Sequence, residues 1–273
     1  VSEIQQPKLV DSSLIFNERV ALLTFNRDDV RNALTGSALV DDICHVAEWI
    51  KQEPTVSALV ITGAGKAFSA GGNIKDMQAR EGDFSGTSAE LITKYRNGIQ
   101  RMSLAVPAIE VPTIAAVNGP AIGAGFDLAS MCDIRIGSTQ ALFGETFLNL
   151  GLIPGDGGAW FLQRAIGYQR AAELTFSGRL VGAQEALELG VLLEVTEPDV
   201  LLERAQELAA SFAKKPPQAV RMTKSLMKSA QRMELPDFLD LCAAYQGACH
   251  QTEDHAKAVS AFFDKTDPEY QGR

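Results

Sequence analysis

Val111-Pro112-Thr113-Ile114-Ala115-Ala116-Val117-Asn118-Gly119-Pro120-Ala121-Ile122-Gly123-Ala124-Gly125-Phe126-Asp127 opens the stretch around which the chain is organised, and that stretch continues to Gly158. The run from Pro112 to Val117 is short, apolar and partly β-branched, with turn formers at its end. That pattern predicts a buried strand. Gly123, Ala124 and Gly125 stand where a loop turns into a helix, and small side chains let a ligand come close to the backbone. A helix N-terminus leaves N–H groups unpaired and carries partial positive charge. The segment therefore reads either as a place to hold developing negative charge or as a tight turn packed on a neighbour.

A second stretch repeats the logic. Ala58-Leu59-Val60-Ile61-Thr62 reads as a strand, followed by Gly63-Ala64-Gly65-Lys66-Ala67-Phe68-Ser69-Ala70-Gly71-Gly72-Asn73-Ile74. Two such loops could each aim one N–H at a single oxygen, the arrangement of an oxyanion hole for an acyl group. Gly65-Lys66 superficially suggests a phosphate-binding loop. That motif fails here, because Ala67 replaces its Ser/Thr and Val60 its first Gly.

These pieces resemble the crotonase (enoyl-CoA hydratase/isomerase) superfamily. The matching residues are Ala67 to Lys75, Ala115-Ala116-Val117-Asn118-Gly119, Gly123-Ala124-Gly125, Cys132-Asp133-Ile134 and Leu150-Gly151-Leu152-Ile153-Pro154-Gly155. They occur in the family's order, and the similarity extends from about Val20 to the C-terminus.

Composition is consistent with such a protein. Over 273 residues, 46% are hydrophobic and 22% charged, as in ordinary globular proteins. The formal net charge is −9, which argues against a nucleic-acid footprint of clustered basic residues. Cys44, Cys132, Cys242 and Cys249 form no Cys-x-x-Cys pair, and there are three histidines, so no zinc site is expected. Reduced thiols and a cytoplasmic location are the expectation. No apolar run approaches a membrane span, and Val1-Ser2-Glu3-Ile4 lacks the basic-then-apolar pattern of a signal segment.

Along the chain, Leu14 to Asn26 predicts two strands joined at Asn17-Glu18-Arg19. Ala38 to Gln52 predicts a helix, with His45 on its surface. Asp76 to Ser88 is polar and reads as a loop; Ala89 to Val106 reads as one helix. Short strands are expected at Arg135–Gly137 and Ala141–Gly144, and helices at Ala159–Ile166, around Leu174 and at Ala183–Leu189. Strand-then-helix alternation argues α/β. From about Pro198 the chain is helical, with Lys214-Lys215-Pro216-Pro217 as a break. The resemblance implies a β-β-α spiral core over residues 1–197, carrying an acyl-CoA site. It implies a helical C-terminal trimerisation region over residues 198–273, forming homotrimers or dimers of trimers.

The resemblance also implies roles. Gly72 and Ala124 would supply the two oxyanion N–H groups. Ala70, Gly72, Asn73, Ile74 and Lys75 would line the substrate path. Arg27 and Arg31 would reach coenzyme A phosphates, the alternative being solvated surface arginines. Phe262 and Lys265 would meet the adenine and 3′-phosphate end, from a neighbouring subunit; on the residues alone, Phe262 reads as core and Lys265 as solvent-facing. Coenzyme A enters as part of the substrate, and no separate cofactor is expected. The segment Asp76–Ser88 would cover the acyl pocket.

The acid/base positions depart from the family pattern. Hydratases use two glutamates; the first falls on Asp127, the second on Phe147, which cannot titrate. Glu145 is two residues earlier and is not expected to replace it. Asp156, one residue later than the carboxylate of isomerase-like members, reads either as a base or as a helix N-cap. Asp127 would be its partner, or an acid favoured at a helix start. Phe126, Phe147 and Trp160 would form an apolar wall raising either carboxyl's pKa, or plain core. The expected function is acyl-CoA processing through a stabilised thioester enolate, isomerase-like rather than a two-glutamate hydration. The alternatives are an enoyl-CoA hydratase, another enolate reaction on the same scaffold, or a non-catalytic acyl-CoA binder.

Overall fold

The computed structural model describes residues 5–273; the opening tetrapeptide read for a targeting pattern lies outside them. The chain runs β1 (Ser12–Asn17), β2 (Val20–Phe25), α1 (Leu39–Gln52), β3 (Ala58–Gly63), α2 (Ile74–Ala79), α3 (Ser88–Asn97), α4 (Gln100–Ala108), β4 (Thr113–Val117), β5 (Pro120–Ile122) and α5 (Ala124–Met131). It continues β6 (Ile134–Ser138), β7 (Leu142–Gly144), α6 (Gly158–Ile166), α7 (Tyr168–Ser177), β8 (Leu180–Gly182), α8 (Ala183–Leu189) and β9 (Glu194–Thr196). Four helices close it: α9 (Leu201–Ala213), α10 (Pro217–Ser229), α11 (Leu235–His250) and α12 (Glu253–Asp264).

Two sheets form, in the orders β1-β2-β3-β4-β6-β9 and β5-β7-β8. After the β1–β2 hairpin the first sheet is parallel throughout. Each circuit of the chain lays a strand in the first sheet and then a segment beside the second. β4 leads to β5 and β6 to β7, while bridges Ala33 to Gly71 and Ser69 to Ala121 extend the same stacking back to the earlier loops. This is the β-β-α spiral of the crotonase fold.

Alternation along the strands explains why the first sheet is covered twice. On β2, Ala21, Leu23 and Phe25 enter the larger core, while Val20 and Leu22 face the other way. β3 and β4 divide likewise, with Ala58, Val60, Ile114 and Ala116 on the second face. There α9 lies down with Leu201, Ala205, Ala209 and Ala213, a four-residue repeat that presents one stripe. Three alanines let the helix approach the sheet closely. Thus α9 packs on the spiral itself.

Three local expectations change. Ala89–Val106 is two helices, because Gly98 adopts φ −108° and ψ −112°, outside the helical region, and ends α3. The polar segment after Asn73 contains the short helix α2, capped by the Asn73 side chain accepting from Lys75 N–H at 3.1 Å. Three-residue strands β5, β8 and β9 are too short to show a period.

Candidate active site

The two glycine-rich loops meet. Ser69 O accepts from Ile122 N–H at 3.0 Å, which joins the first loop to β5 directly before Gly123. Gly71 has φ +75°; a Cβ there would strike Ile122 O and stand 3.0 Å from Ala124 N. Gly125 has no room for a Cβ either, since Ser69 O occupies that space. These two glycines are therefore required by close backbone approach.

Gly72 and Ala124 line one cavity. Within the described residues neither has its N–H bonded to another group of the chain. Gly123 turns at φ 52° and ψ −122° and donates to Gly144 O at 2.8 Å, after which α5 begins at Ala124. The Ala124 N–H is thus a first-turn donor at a helix start. The space of the cavity, counted together with its open mouth, is about 490 Å³. Its apolar lining includes Met77, Phe84, Ile99, Phe147 and Leu152; Tyr95, Lys94, Asp83 and Asp156 bring polar groups.

Asp156 is 3% exposed and reaches this cavity. The N-cap of α6 is Gly157, and no side chain caps that helix. The capping role open for Asp156 in the sequence is therefore not the one it takes. Its main chain is held by Ser103, whose hydroxyl donates to Asp156 O. Gln100 Nε2 fixes the preceding carbonyl of Gly155 at 2.7 Å.

Asp127, fully buried on α5, neighbours both Asp156 and Glu145. It does not line the cavity, whereas Asp156 does. Burial, then the neighbouring charges of Glu145 and Asp156, hold the Asp127 carboxyl well above the usual range. Burial also raises Asp156, against an opposing hydrogen bond from Asp127. Glu145 is pushed up to about 7, chiefly by burial. Among the described residues, both oxygens of Asp127, both of Glu145 and Oδ2 of Asp156 have no donor. Across the cavity, burial and the charges of Asp156 and Asp83 raise the Tyr95 phenol.

Glu145 is where the sequence reading falls short. Gly144 ends β7, and a 3-10 turn over Thr146–Leu150 follows, so strand alternation cannot place Glu145 beside Phe147. Instead Gly144 pairs with Ile122 across the β5–β7 register, which carries Glu145 toward Asp127. A buried acid flanking a glycine-ended strand was the only local sign.

The expected aromatic wall is reduced to Phe147, whose ring would meet a Cβ on Gly123 at 3.5 Å. Phe126 is core, against Phe143. Trp160 is 51% exposed and stacks under Arg164, because its position on α6 points away from the core. Arg27 is committed to Asp11 and Asp29 at 3.2 and 2.9 Å, while Arg31 is exposed. Ala70 donates to Arg31 O at 2.9 Å; Ile74 and Lys75 are exposed at the first turn of α2. Phe262, at 80% exposure, is not core, and Lys265 is exposed just beyond α12. Burial pushes the Cys132 thiol up to about 12, so it is no nucleophile. Among the described residues no three His, Cys, Asp or Glu side chains are arranged to hold a metal ion, and no helix is long and apolar enough to cross a membrane.

A spiral of stacked strands with paired glycine-rich loops over one apolar cavity defines a crotonase-type protein. The comparisons are specific. The model of the enoyl-CoA hydratase/isomerase family matches residues 15–273, and the chain belongs to that family of enzymes. It is 35% identical to the short-chain-enoyl-CoA hydratase of Clostridium acetobutylicum, over 90% of this chain and 92% of that one. It is 34% identical to the 2,3-dehydroadipyl-CoA hydratase of Escherichia coli, over 94% and 96%. The crystal structure of an enoyl-CoA hydratase from Bacillus anthracis superposes with a TM-score of 0.89 at 31% identity, covering 97% of this chain and all of that one.

Proposed function

We propose that this enzyme binds an enoyl-CoA thioester and moves a proton between two carbons of its acyl group. The thioester oxygen accepts from the Gly72 and Ala124 N–H groups, which stabilises the enolate; one such donor contributes about 3 kcal/mol in the transition state. Asp156 takes the proton from the carbon and returns it further along the chain. Asp127 stands behind it as its hydrogen-bonding partner. Ala70, Gly72, Asn73, Ile74 and Lys75 form the path for the thioester end. The nucleotide end lies toward Arg31 and Arg27, with Phe262 and Lys265 contributed from a neighbouring copy in a trimer.

The observation that carries this reading is that Asp156 is the buried carboxyl lining the cavity, Asp83 being exposed, while Phe147 stands at the position where the family pattern has a second glutamate. One base can serve two carbons in turn, whereas syn hydration needs groups to activate and orient water. Hydration is the second reading, favoured by the names of the relatives. A panel of enoyl-CoA esters in deuterated water separates the two. Deuterium in the acyl chain without added water mass supports isomerisation. A gain of water supports hydration, and binding without either outcome marks a non-catalytic acyl-CoA binder. Asp156→Asn tests the base: full retained rate excludes it.

A further inference from the structure

The carboxyls of Asp156, Asp127 and Glu145 form a line from the cavity inward, one from the loop before α6, one from α5 and one after β7. Their exposures are 3%, 0% and 1%. Asp127 is their shared neighbour: its carboxyl fills the space beside Gly158, two residues past Asp156, and Glu145 follows Gly144, which pairs with Ile122 just ahead of α5. Among the described residues no Lys, Arg or His forms a salt bridge with any member; the titratable neighbours of Glu145 are Asp127 and Asp156, and Tyr95 is a further titratable group near Asp156. Five carboxyl oxygens of the line have no donor from the rest of the protein.

Such an arrangement is untenable with three charges. Buried like charges without counter-charge repel, and unpartnered buried acceptors are costly. A proton on one carboxyl converts a facing pair of acceptors into an O–H···O hydrogen bond, the strong charge-assisted kind when its partner is ionised. Two protons on three carboxyls satisfy both contacts and leave one charge. That charge has to reside on Asp156 for it to act as a base.

We propose that Glu145 is a positioning residue: it is the inner end of a three-carboxyl proton-sharing line and controls whether the charge resides on Asp156. The inference rests on Asp156 being the base. With Glu145 present, the single charge is divided among three sites, and a second charge enters the line as Glu145 ionises. With Gln in its place, the charge has only Asp127 and Asp156 to occupy, and the competing like charge is gone.

The experiment is the pH profile of kcat/KM for deuterium wash-in, wild type against Glu145→Gln. The acid limb of the variant is expected at lower pH, by on the order of one unit, the scale on which a close like charge acts. It should also contain one ionisation fewer. A profile superimposable on wild type, or one displaced upward, overturns the proposal. A variant that only loses rate and thermal stability, with the limb unmoved, makes Glu145 structural. Loss of the wild-type rate on metal chelation also overturns it, since an ion would then neutralise the line. Should Glu145→Gln not fold, infrared spectra of the wild type decide: a buried protonated carboxyl band at pH 6 that fades as pH rises is expected, and its absence overturns the idea. Failure of the base assignment shows separately, as full activity in Asp156→Asn.

Discussion

The carboxyl group of Asp127 occupies the space that a side chain on Gly158 would need. One residue is on α5 and the other opens α6, so the absent side chain is what lets two helices close around a buried acid. Both carboxyl oxygens of Asp127 then turn to other acids rather than to donors.

Gly158→Ala should therefore act on chemistry more than on folding. The methyl group drives Asp127 off its partner Asp156, and overpacking of this kind costs about 1–3 kcal/mol. The expected result is a modest fall in denaturation midpoint with at least about a tenfold fall in kcat/KM, as for a misplaced catalytic group. A variant as active as wild type would show that Asp127 need not hold its place.

Stability should fall as pH rises through the acid-to-neutral range. A group whose folded pKa exceeds its unfolded value binds its proton more tightly when native. Its contribution is present below the unfolded value and disappears as pH climbs through the folded one. For Glu145 that window runs from 4.5 to about 7. Asp127 and Asp156 shift in the same direction. Thermal melts across this range should show Glu145→Gln losing less stability with pH than wild type, by up to roughly 3 kcal/mol. Parallel curves would contradict the assignment.

Phe147→Glu should change the outcome of the reaction. The substitution puts a second carboxyl on the cavity beside Asp156, where the ring now rests on Gly123. Mass spectrometry of products should reveal water addition absent from the wild type, with about 1 kcal/mol of stability lost with the half-buried ring. Unchanged products in a folded variant would mean that water is excluded for another reason.

Lys224→Met tests what holds the C-terminal helices to the core. Lys224 Nζ, on α10, pairs with Asp133 at 2.6 Å and donates to Val111 O at 2.6 Å. The same Asp133 oxygen accepts from Thr113 N–H and Oγ at 2.8 and 2.9 Å. Asp133 keeps 31% of its side chain in contact with water, so removing the buried ammonium costs about 1–3 kcal/mol, mainly through the Val111 carbonyl left unpaired. Chemical denaturation should register that loss, with turnover of the remaining folded enzyme intact.

How much of this was legible before the structure depends on the range of the interaction. The two loops of small residues were readable, because a turn into a helix after small residues is a local event with a local signature; the choice of Gly72 and Ala124 within them came from the family resemblance. The burial of β2 on both faces was readable too, since its apolar residues fall at consecutive positions, whereas the spiral stacking came from the family resemblance. Glu145 was not: its neighbours are set by β7 stacking beside β5, a pairing of segments about 20 residues apart whose three-residue strands give no period. Trp160 misled for the converse reason. It is close to Asp156 in sequence, but a helix turns successive residues through about 100°, and its side chain leaves the site. The break at Gly98 was visible as a glycine, yet an isolated glycine is tolerated inside many helices.

Met77, Phe84 and Tyr95 all belong to the excursion from α2 to α3, which begins after Asn73, whereas Gly72 directly follows the Ser69 and Gly71 bridges to the stacked segments and Ala124 directly follows β5. In the proposed reading, recognition of the acyl tail and polarisation of the thioester thus have separate architectural addresses. Exchanging the excursion alone would re-cut the tail end of the cavity and leave the amide donors standing, a route by which one catalytic frame can be refitted to a different chain length or shape.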